Sequence, residues 1–576
     1  MRRILIFLSL FLCGGAQAQR LDPADFVFPV RGVAGLYSAN FGELRPGHFH
    51  AGVDIKTDGV EGKELVAAAD GYVSRVTVAP GGYGRAIYLT LRNGTTAVYG
   101  HLQRFRDDLE EHVRTERYRR RANTVDLHFG PGQWPVRQGE LIGYAGNSGG
   151  SLGPHLHYEL RDTPTQRLRN LVREGILRPQ DDLPPRILRI HYIEVDTVGI
   201  DGVCAHTAPR SYAVVRTAEG RYRLTHDRPV ETGRKGYFVV EATDRRNGVH
   251  NSFGLWRVTA LLDGEPCFEY RQDGFTHDLA RSSDAVSCYP LQLGSRNEVI
   301  RLARLEAAPE CFYPILRERG LVRTAPGEVR RLGIEAEDDS GNVSLLEFDI
   351  RGREGGFRAV ADSAAAVVRP DRESAVSLGF GLTARIPAGA VYETLYCRPE
   401  ACEVPQLDSG VVVLSPAYRI FSFDTPLAHP IEVSVRAEVP HALQLRTLMA
   451  ARDRKGRAIP VGGSYAAGRV TARTRSTDVL TVVADTLPPR ITPLFKPGAS
   501  LSGAVALRFR VADNFAGVAR WTLLIDGRWV PADRFPMQGT LVHRFDTPPT
   551  HGSHRARLSV SDTAGNTAVW EGTFYR

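Results

Sequence analysis

The sequence predicts a mainly β protein built of several domains. The chain has 576 residues, enough for three to five domains of ~100–200 residues each. Its 57 Gly and 35 Pro, against only three Met, are typical of many short strands and turns rather than helical bundles. Hydrophobic residues make up 42% and charged residues 24%, so the chain can bury several cores and is not mainly disordered.

The N-terminus has the pattern of an export signal. A positive start at Arg2 and Arg3 precedes an apolar stretch at 4–12 and a small-x-small cleavage site at 16–18. The apolar stretch is shorter than the ~20 residues that a bilayer span needs, and no other long apolar run follows. We therefore predict a signal peptide at 1–18, no transmembrane segment, and export to the periplasm or cell envelope.

Six cysteines follow the predicted signal peptide. An even number permits disulfides in an exported chain, so the cysteine count fits export. Two of them are close enough to clip one local loop, and the other four allow three pairings. Free buried thiols are the alternative. The cysteines are Cys397 and Cys402 for the local clip, then Cys204, Cys267, Cys288 and Cys311.

The small excess of basic over acidic residues gives little information about binding partners. The formal net charge is +8, and the densest basic cluster, at 117–121, lies on a predicted helix whose other faces carry acids. Aromatic residues do not alternate with these arginines, so we predict a solvated helix face and no nucleic-acid partner. Attraction to an anionic cell-wall polymer is left open.

The first domain, predicted at 19–180, consists of short strands joined by Asp-Gly, Gly-Gly and Asn-Gly turns. One helix at about 106–121 interrupts them, because Phe105, Leu109 and Val113 recur every four residues. It is predicted to be an insertion between strands. Its expected i,i+4 ion pairs are Glu110–Arg114 and Glu116–Arg120.

An internal repeat marks two further domains. Leu-Pro-Pro-Arg-Ile occurs at 183–187 and again at 487–491. Pro-Pro cannot continue a helix or an interior strand, so each copy begins a new β-domain. Alternating runs follow each copy, and we predict immunoglobulin-like sandwiches at 183–352, with insertions, and at 487–576.

Between them, 357–485 also alternates and is predicted to be a β-sandwich domain. Its stretches LTARIPAGA (382–390) and LSPAYRI (414–420) resemble the β-sandwich modules of netrin receptors and ankyrins. That resemblance is short, and it supports only a further β-domain.

Histidine is the informative residue type in the first domain. Three motifs contain it: His50-Ala-Gly-Val-Asp54, Tyr-Gly-His101-Leu and Pro-His155-Leu-His157-Tyr. Imidazole and carboxylate are the usual ligands of catalytic zinc. In an extended segment residues i and i+2 point to the same side, so His155 and His157 share one face of a strand. The three motifs together predict a metal site.

Two competing patterns lie near these motifs. His48-x-His50 also places two ring nitrogens on one face. Gly-Asn-Ser148-Gly-Gly satisfies the G-x-S-x-G pattern of a serine nucleophile, which requires a helix after the serine. Here Gly-Gly-Ser-Leu-Gly-Pro follows instead. We interpret this segment as a glycine-rich turn that delivers His155 and His157.

The motifs resemble those of the lysostaphin/LytM-like zinc metallopeptidases, in the form found in Bacteroidetes-type envelopes with trailing β-domains. The resemblance covers His48–Arg161, about a fifth of the chain. The stretches that carry it are HFHAGVDI (48–55), VAAADGYV (66–73), GGYGRAIYL (81–89), VYGHL (98–102), GELIGYAGNSG (139–149) and GPHLHYELRD (153–162).

The resemblance implies an antiparallel β-groove with a Zn²⁺ ion on its floor, held by His50, Asp54 and His157. His101 and His155 are then expected beside the open coordination position. We expect His155 to act as the general base and His101 to stabilise the oxyanion, and the reverse assignment stays open.

The family pattern places the first ligand four residues before Asp54, which selects His50 over His48. His48 then becomes a neighbouring residue of the groove. Removing the His50 imidazole should therefore abolish metal content, whereas removing that of His48 should not.

The implied function is an exported zinc endopeptidase that hydrolyses amide bonds in peptidoglycan stem peptides or cross-links. The β-domains would position it and could bind envelope proteins. One alternative is a non-catalytic envelope adaptor that binds the wall or activates another hydrolase. Such an adaptor should lack ligands, whereas all five polar positions are present here. A second alternative is an exported protease acting on proteins.

Overall fold

The computed structural model describes residues 21–198, 202–545 and 551–576. Within these ranges the chain is mostly β, as the sequence predicted. The predicted signal peptide at 1–18 lies outside the described residues. In the described part of the chain, no helix is both long and apolar enough to cross a bilayer.

The N-terminal domain is formed by short strands around a single longer helix. The strands are β1 (Tyr37–Ala39), β2 (Leu44–Arg45), β3 (His48–Phe49), β4 (Val53–Lys56), β5 (Glu64–Val66), β6 (Gly71–Val78), β7 (Arg85–Leu91), β8 (Thr95–Gly100), β9 (Leu102–Phe105), β10 (Val125–His128), β11 (Pro135–Val136), β12 (Leu141–Ala145) and β13 (His155–Asp162).

The main sheet of this domain has the order β1-β4-β13-β8-β7-β6-β10, and a smaller sheet has the order β5-β12-β9. The central pairings are antiparallel, and the register sets His157 of β13 opposite Asp54 of β4 and Gly100 of β8. Leu156 and Tyr158, which point to the opposite face, are buried in the core. One face of β13 therefore anchors the sheet while the other carries polar side chains.

The predicted insertion is observed as helix α1 (Asp107–Arg120) between β9 and β10. Its apolar face packs inward, with Leu109 and Val113 fully buried. The expected Glu116–Arg120 ion pair is present at 2.9 Å. The expected Glu110–Arg114 pair is not, because Glu110 instead pairs with Arg85 of β7.

The prediction of a solvated basic face on α1 is wrong for Arg117. This side chain is buried, and its guanidinium lies 2.7 Å from a carboxylate oxygen of Asp533 in the C-terminal domain. The helix pattern gave no sign of this, because the partner residue lies 416 positions away.

The second domain contributes β14–β25, and its strands pair into a sheet with the order β22-β19-β14-β16-β17-β25-β24-β20-β21-β23. Its elements are β14 (Arg186–Val198), β15 (Val203–His206), β16 (Arg210–Ala218), β17 (Arg221–Leu224), β18 (Val230–Thr232), β19 (Gly236–Thr243), β20 (Arg257–Leu262), β21 (Glu265–Arg271), α2 (Ser283–Val286), α3 (Tyr289–Gln292), β22 (Glu298–Arg301), β23 (Ile315–Leu316), β24 (Val329–Glu337) and β25 (Val343–Gly352).

The first two domains share one hydrophobic core. Phe275 of the second domain stacks on Phe41 at 5.2 Å between ring centroids and contacts Phe49 at 5.4 Å. Phe312 lies against the other side of Phe49, at 5.3 Å. Phe49 directly precedes His50, so the second domain packs behind the predicted metal site.

The third domain forms three sheets, of two, five and six strands, around its own core. Its strands are β26 (Ala366–Val368), β27 (Ser374–Leu378), β28 (Leu382–Ile386), β29 (Leu395–Cys397), β30 (Glu400–Cys402), β31 (Val411–Val413), β32 (Ala417–Arg419), β33 (Ile431–Arg436), β34 (Thr447–Arg452), β35 (Ala458–Gly462), β36 (Ser464–Ala466), β37 (Arg469–Thr474) and β38 (Leu480–Asp485). The disulfide expected between Cys397 and Cys402 is not formed, and all six cysteines of the described residues are free thiols.

The C-terminal domain is a sandwich of two four-stranded sheets, β39-β40-β44-β43 and β42-β41-β45-β46, which enclose one core. Its strands are β39 (Arg490–Pro493), β40 (Ala506–Ala512), β41 (Val518–Ile525), β42 (Arg528–Val530), β43 (Asp533–Phe535), β44 (Thr540–Arg544), β45 (Ser553–Asp562) and β46 (Thr567–Tyr575).

Candidate metal centre

Three predicted ligands converge on one face of the main sheet. The Nε2 atom of His50 lies 3.1 Å from Asp54 Oδ1 and 3.1 Å from His157 Nδ1, and the Asp54 and His157 atoms are 2.9 Å apart. Each of the three residues is at least nine-tenths buried. The three donor atoms therefore form a small triangle in the interior of the domain.

The size of this triangle fits a metal ion. Ligand atoms held tetrahedrally about 2.0–2.1 Å from zinc are about 3.3–3.4 Å from one another. The observed separations of 2.9–3.1 Å are within a few tenths of an ångström of that value. Two imidazoles and one carboxylate also match the donor types that zinc takes in catalytic sites.

His50 is oriented by the chain that precedes it. Its Nδ1–H donates to the backbone carbonyl of Asn40 at 2.8 Å, which leaves Nε2 without a proton and facing the triangle. The Asn40 side chain in turn exchanges two hydrogen bonds of 2.9 Å with the backbone of Gly254 in the second domain. The second domain thus helps to fix the first ligand.

His157 is oriented in the opposite sense, by a carboxylate on its own strand. Its Nε2–H donates to Glu159 Oε1 at 2.9 Å, so Nδ1 is the nitrogen presented to the triangle. Glu159 is fully buried and also accepts from Arg161 and from the Tyr83 hydroxyl. A buried carboxylate behind a ligating imidazole is the usual arrangement at metal centres, because it fixes the ring and raises its basicity.

The electrostatics of the site favour a bound cation. Burial by itself raises the pKa of the Asp54 carboxyl, but His50 and His157 hold it well below its usual range. Burial lowers the pKa of His157, yet the hydrogen bonds to Asp54 and Glu159 outweigh it and raise that pKa to about 9. With a pKa of about 9, His157 holds a proton beside the Asp54 carboxylate at neutral pH, and a bound metal ion would take the place of that proton. Burial lowers the pKa of His50 to about 4 and keeps this ligand neutral.

The two remaining predicted residues flank the triangle. His155 Nε2 lies 3.6 Å from Asp54 Oδ1, and the ring of His101 lies 4.8 Å from that of His155. Their Nδ1–H groups donate to the carbonyls of Gly153 and Ser148, both at 2.8 Å. Each ring therefore presents Nε2 as a proton acceptor. All five predicted site residues come together.

His101 is held in an unusual backbone conformation. Its φ of +64° lies in the left-handed region, which a residue with a side chain rarely adopts. Two hydrogen bonds hold His101 in this backbone conformation. Its N–H donates to the Tyr83 carbonyl and its ring Nδ1–H donates to the Ser148 carbonyl, both at 2.8 Å. Strain of this kind clusters at functional sites, where surrounding contacts maintain it.

Both competing patterns are resolved by the geometry. His48 is exposed, and its Nδ1 contacts only the Pro46 carbonyl, at 3.3 Å, outside the triangle. Ser148 is buried, donates its hydroxyl to the Leu102 carbonyl and accepts from the Arg85 N–H. No helix follows Ser148, so it anchors a turn and does not have the setting of a nucleophile.

Sequence reasoning missed Asn40 and Arg45. Asn40 acts through its backbone carbonyl, and Arg45 donates to the second Asp54 oxygen, Oδ2, at 3.1 Å. Backbone carbonyl contacts leave no residue-type signal. A single arginine nine positions before an aspartate has no recognisable spacing either, because β2, β3 and the loop to β4 bring the two together.

The comparisons with known proteins confirm the predicted resemblance to the LytM-type metallopeptidases. The chain is 32% identical over 118 residues to DD-carboxypeptidase/endopeptidase Mpg of Neisseria meningitidis, which covers 20% of this chain and 21% of that protein. It is 36% identical over 123 residues to an uncharacterized metalloprotease of Haemophilus influenzae. That match covers 20% of this chain and 19% of the Haemophilus protein. The chain thus spans about a fifth of the length of these relatives.

Two further comparisons concern structure and the later domains. The catalytic domain of lysostaphin from Staphylococcus simulans is 20% identical, with 24% of this chain and 88% of that chain covered and a TM-score of 0.18. A Zu5-like domain model matches residues 367–485. That match falls inside the β-sandwich domain predicted at 357–485.

Proposed function

We propose that this protein is an exported, zinc-dependent endopeptidase that cleaves amide bonds in the peptides of peptidoglycan. The observation that carries the proposal is the triangle of His50, Asp54 and His157, with His101 and His155 beside it. A relative that shares about a fifth of the chain is named as a DD-carboxypeptidase/endopeptidase, which supports peptidoglycan peptides as the substrate.

The chain supplies the groups that amide hydrolysis needs. Zinc held by the three ligands would provide a Lewis acid and a bound water whose pKa is lowered to about 7. His155 lies at the edge of the triangle with an unprotonated Nε2, so it can take the proton of the attacking water. His101 lies beside His155 and is assigned to stabilise the oxyanion. Burial, with the neighbouring His155 and His157, lowers the pKa of His101 to about 3, so its ring donates only after it has taken up a proton in the reaction.

The location and partners follow from the same proposal. The signal-peptide pattern at 1–18 supports export to the periplasm or cell envelope. The three β-domains after residue 183 would then place the catalytic domain on its substrate or on envelope proteins.

The test combines metal analysis with product mapping. The mature protein, expressed from residue 19, is loaded with zinc and incubated with purified cross-linked sacculi, and the released peptides are identified by mass spectrometry. We expect one zinc per chain and products cut within stem peptides or cross-links. The His155→Ala variant should keep the metal and release about 10²–10⁴-fold less product.

Each alternative predicts a different result. A non-catalytic adaptor would bind sacculi without releasing peptides, whether or not zinc is bound. A protease acting on proteins would cleave casein and leave sacculi intact. Absence of zinc from a folded chain with His50, Asp54 and His157 unchanged would contradict the hydrolase proposal itself.

A further inference from the structure

A second group of metal-ligating side chains lies far from the candidate zinc centre, where the first domain joins the second. It consists of Asp181, Asp244 and Asp338, which we call the joint aspartates. One carboxylate oxygen from each lies within 4.8 Å of the others. Asp181 lies in the short connection between the first and second domains, whereas Asp244 and Asp338 directly follow β19 and β24 of the second.

Asp244 is the observation that points to a ligand. Its side chain is completely buried, and in the described part of the chain neither of its oxygens has a hydrogen-bond partner of good geometry. The second oxygen of Asp181 is equally without one. A buried carboxylate without partners costs several kcal/mol, so such groups are normally paired or bound to a metal.

The charge around the joint aspartates is not balanced. Asp339 adds a fourth carboxylate, and among the described residues the buried cation beside them is Arg246, which pairs with Asp339 and lies 3.8 Å from Asp181. In this cluster, the partly exposed Arg173 reaches only the backbone carbonyl of Asp339. Burial, with Asp338 and Asp181, raises the pKa of Asp244 to about 9, and only the Arg245 N–H and Arg246 act in the other direction. A divalent cation would remove most of the excess negative charge.

We propose that the joint aspartates bind a calcium ion. Calcium takes six to eight oxygen ligands at about 2.3–2.6 Å, so donors on opposite sides of the ion are up to about 5 Å apart. The three donor oxygens all lie within 4.8 Å of one another, which is inside that span. An all-oxygen set selects hard cations, and calcium tolerates an irregular set of carboxylate and water oxygens without the rigid octahedron that magnesium requires.

The surroundings show what such an ion would do. Arg246 lies over the ring of Tyr37 in β1, with 5.5 Å from its guanidinium carbon to the ring centroid. β1 pairs with β4, and Ala39 stands opposite Asp54. Calcium would therefore brace the joint between the two domains close to the strand that carries a zinc ligand.

The C-terminal domain contains a natural comparison. Asp485, Asp513 and Asp562 occupy the same positions relative to Leu-Pro-Pro-Arg-Ile, an Asp-x-x-x-Gly-Val turn and an Asp-x-x-Gly-Asn turn, and they also cluster. Asp562 and its counterpart Asp338 each accept hydrogen bonds on both oxygens, so the two clusters differ at the other two positions. Asp485 accepts on both oxygens, whereas Asp181 leaves one without a partner among the described residues. Asp513 accepts two backbone N–H groups, whereas neither oxygen of Asp244 has a partner of good geometry in the described chain. Asp513 is only half-buried. We propose no ion there, and this cluster supplies the matched control.

The experiment measures calcium binding to the full chain by titration calorimetry and thermal unfolding, with zinc kept saturating. We expect one calcium bound in the millimolar range or tighter, and a rise of several degrees in Tm. Asp244→Asn should lose both, whereas Asp513→Asn should keep both. Without calcium, Asp244→Asn should unfold at about the same temperature as the wild type, because with a pKa of about 9 the Asp244 carboxyl is protonated at neutral pH and the amide replaces an uncharged group of the same shape.

This last comparison separates a metal site from a structural role. If Asp244 were simply a protonated structural carboxyl, the wild-type Tm would not respond to calcium and no heat of binding would be seen. Retention of the calcium effect in Asp244→Asn, or its loss in Asp513→Asn, would also overturn the proposal. Circular dichroism of each variant without calcium checks that it folds.

Discussion

At the scale of single residues, the hydrogen bond made by one ring nitrogen decides what the other can do. Three imidazoles of the site donate Nδ1–H to backbone carbonyls and present Nε2. His157 is reversed, because Glu159 accepts its Nε2–H. The same residue type therefore supplies two ligands and two proton acceptors. The three that present Nε2 are His50, His101 and His155.

The choice between His48 and His50 gives the first prediction. His50→Ala removes one corner of the donor triangle, so the purified variant should contain less than a tenth of the wild-type zinc, since the two remaining ligands form an incomplete site. His48→Ala should keep full zinc content, because this ring is exposed and contacts only a backbone carbonyl. Metal analysis by mass spectrometry measures both.

Circular dichroism serves as the control, since both variants should keep the wild-type spectrum. Zinc loss in His48→Ala with retention in His50→Ala would show that the ion sits elsewhere.

Single-residue patterns predicted the ligands but not their supports. The three histidine motifs predicted a metal site, and the resemblance to the LytM-like metallopeptidases implied that His50, Asp54 and His157 are its ligands. Asn40 could not be found in this way, because its contribution to His50 is a backbone carbonyl.

At the scale of elements, two loops meet beside the site and depend on glycine for their contact. Gly149 has φ of +73°, and a Cβ there would lie 2.4 Å from the Gly82 carbonyl oxygen and the Gly84 nitrogen. The same two loops carry both anchors of His101, namely the Ser148 and Tyr83 carbonyls. Their close approach therefore fixes a proposed catalytic ring.

Gly149→Ala should therefore lower kcat without removing the metal. The added methyl group pushes the two loops apart and moves His101, and a displacement of about 1 Å costs on the order of 10²-fold in rate. Zinc content should stay at the wild-type level, because the ligands lie on or beside β4 and β13. Peptide release from sacculi and metal analysis measure the two effects.

Gly81→Ala, in the loop that Gly149 contacts, is the matched control, since a Cβ there meets nothing within 4 Å. It should retain wild-type activity. An equal loss of activity in both variants would contradict the inference that the close contact at Gly149 positions the ring of His101.

At the scale of the whole molecule, the domains are tied by buried charges that the sequence did not reveal. The fold class, the inserted helix and the repeated β-domains follow from local patterns, because periodicity and turn residues are local signals. The Arg117–Asp533 contact does not, since it joins residues of two domains. An arginine that pairs with a distant residue has the same local pattern as an exposed one.

One buried acid at the joint of the first two domains makes stability depend on pH. Glu298 is fully buried and accepts the N–H groups of Leu44 and Leu255. Burial nonetheless raises its pKa from 4.5 to about 7. The folded state thus favours the protonated form of Glu298. The resulting contribution to the free energy of unfolding is fully present below pH 4.5 and is lost as the pH rises through 7.

The expected loss between pH 4.5 and 7 is on the order of 3 kcal/mol, from 1.36 kcal/mol per pKa unit. Glu298→Gln cannot ionise, so the difference in unfolding free energy between variant and wild type should shift in favour of the variant over this interval. Urea unfolding at several pH values measures it. If the difference in unfolding free energy between variant and wild type stays constant with pH, the raised pKa of Glu298 is contradicted.

The contact between the inserted helix and the C-terminal domain gives the last prediction. Asp533 pairs with Arg117 at 2.7 Å and with Arg85 at 3.1 Å, and all three side chains are largely shielded from water. Burial raises the pKa of Asp533, but the two arginines outweigh it and hold that pKa below its usual value. The carboxylate is therefore charged at neutral pH and compensates two buried cations.

Asp533→Asn should weaken this contact by about 3–5 kcal/mol, because it leaves Arg117 buried without an opposite charge. Amide hydrogen exchange should then speed up in both α1 and β43. Glu116→Gln is the matched control on the same helix, since its partners Arg119 and Arg120 are exposed and such pairs contribute less than about 1 kcal/mol. Unchanged exchange in Asp533→Asn would mean that the C-terminal domain is not held to the catalytic domain by this charge cluster, and its apolar contacts would then have to account for the docking.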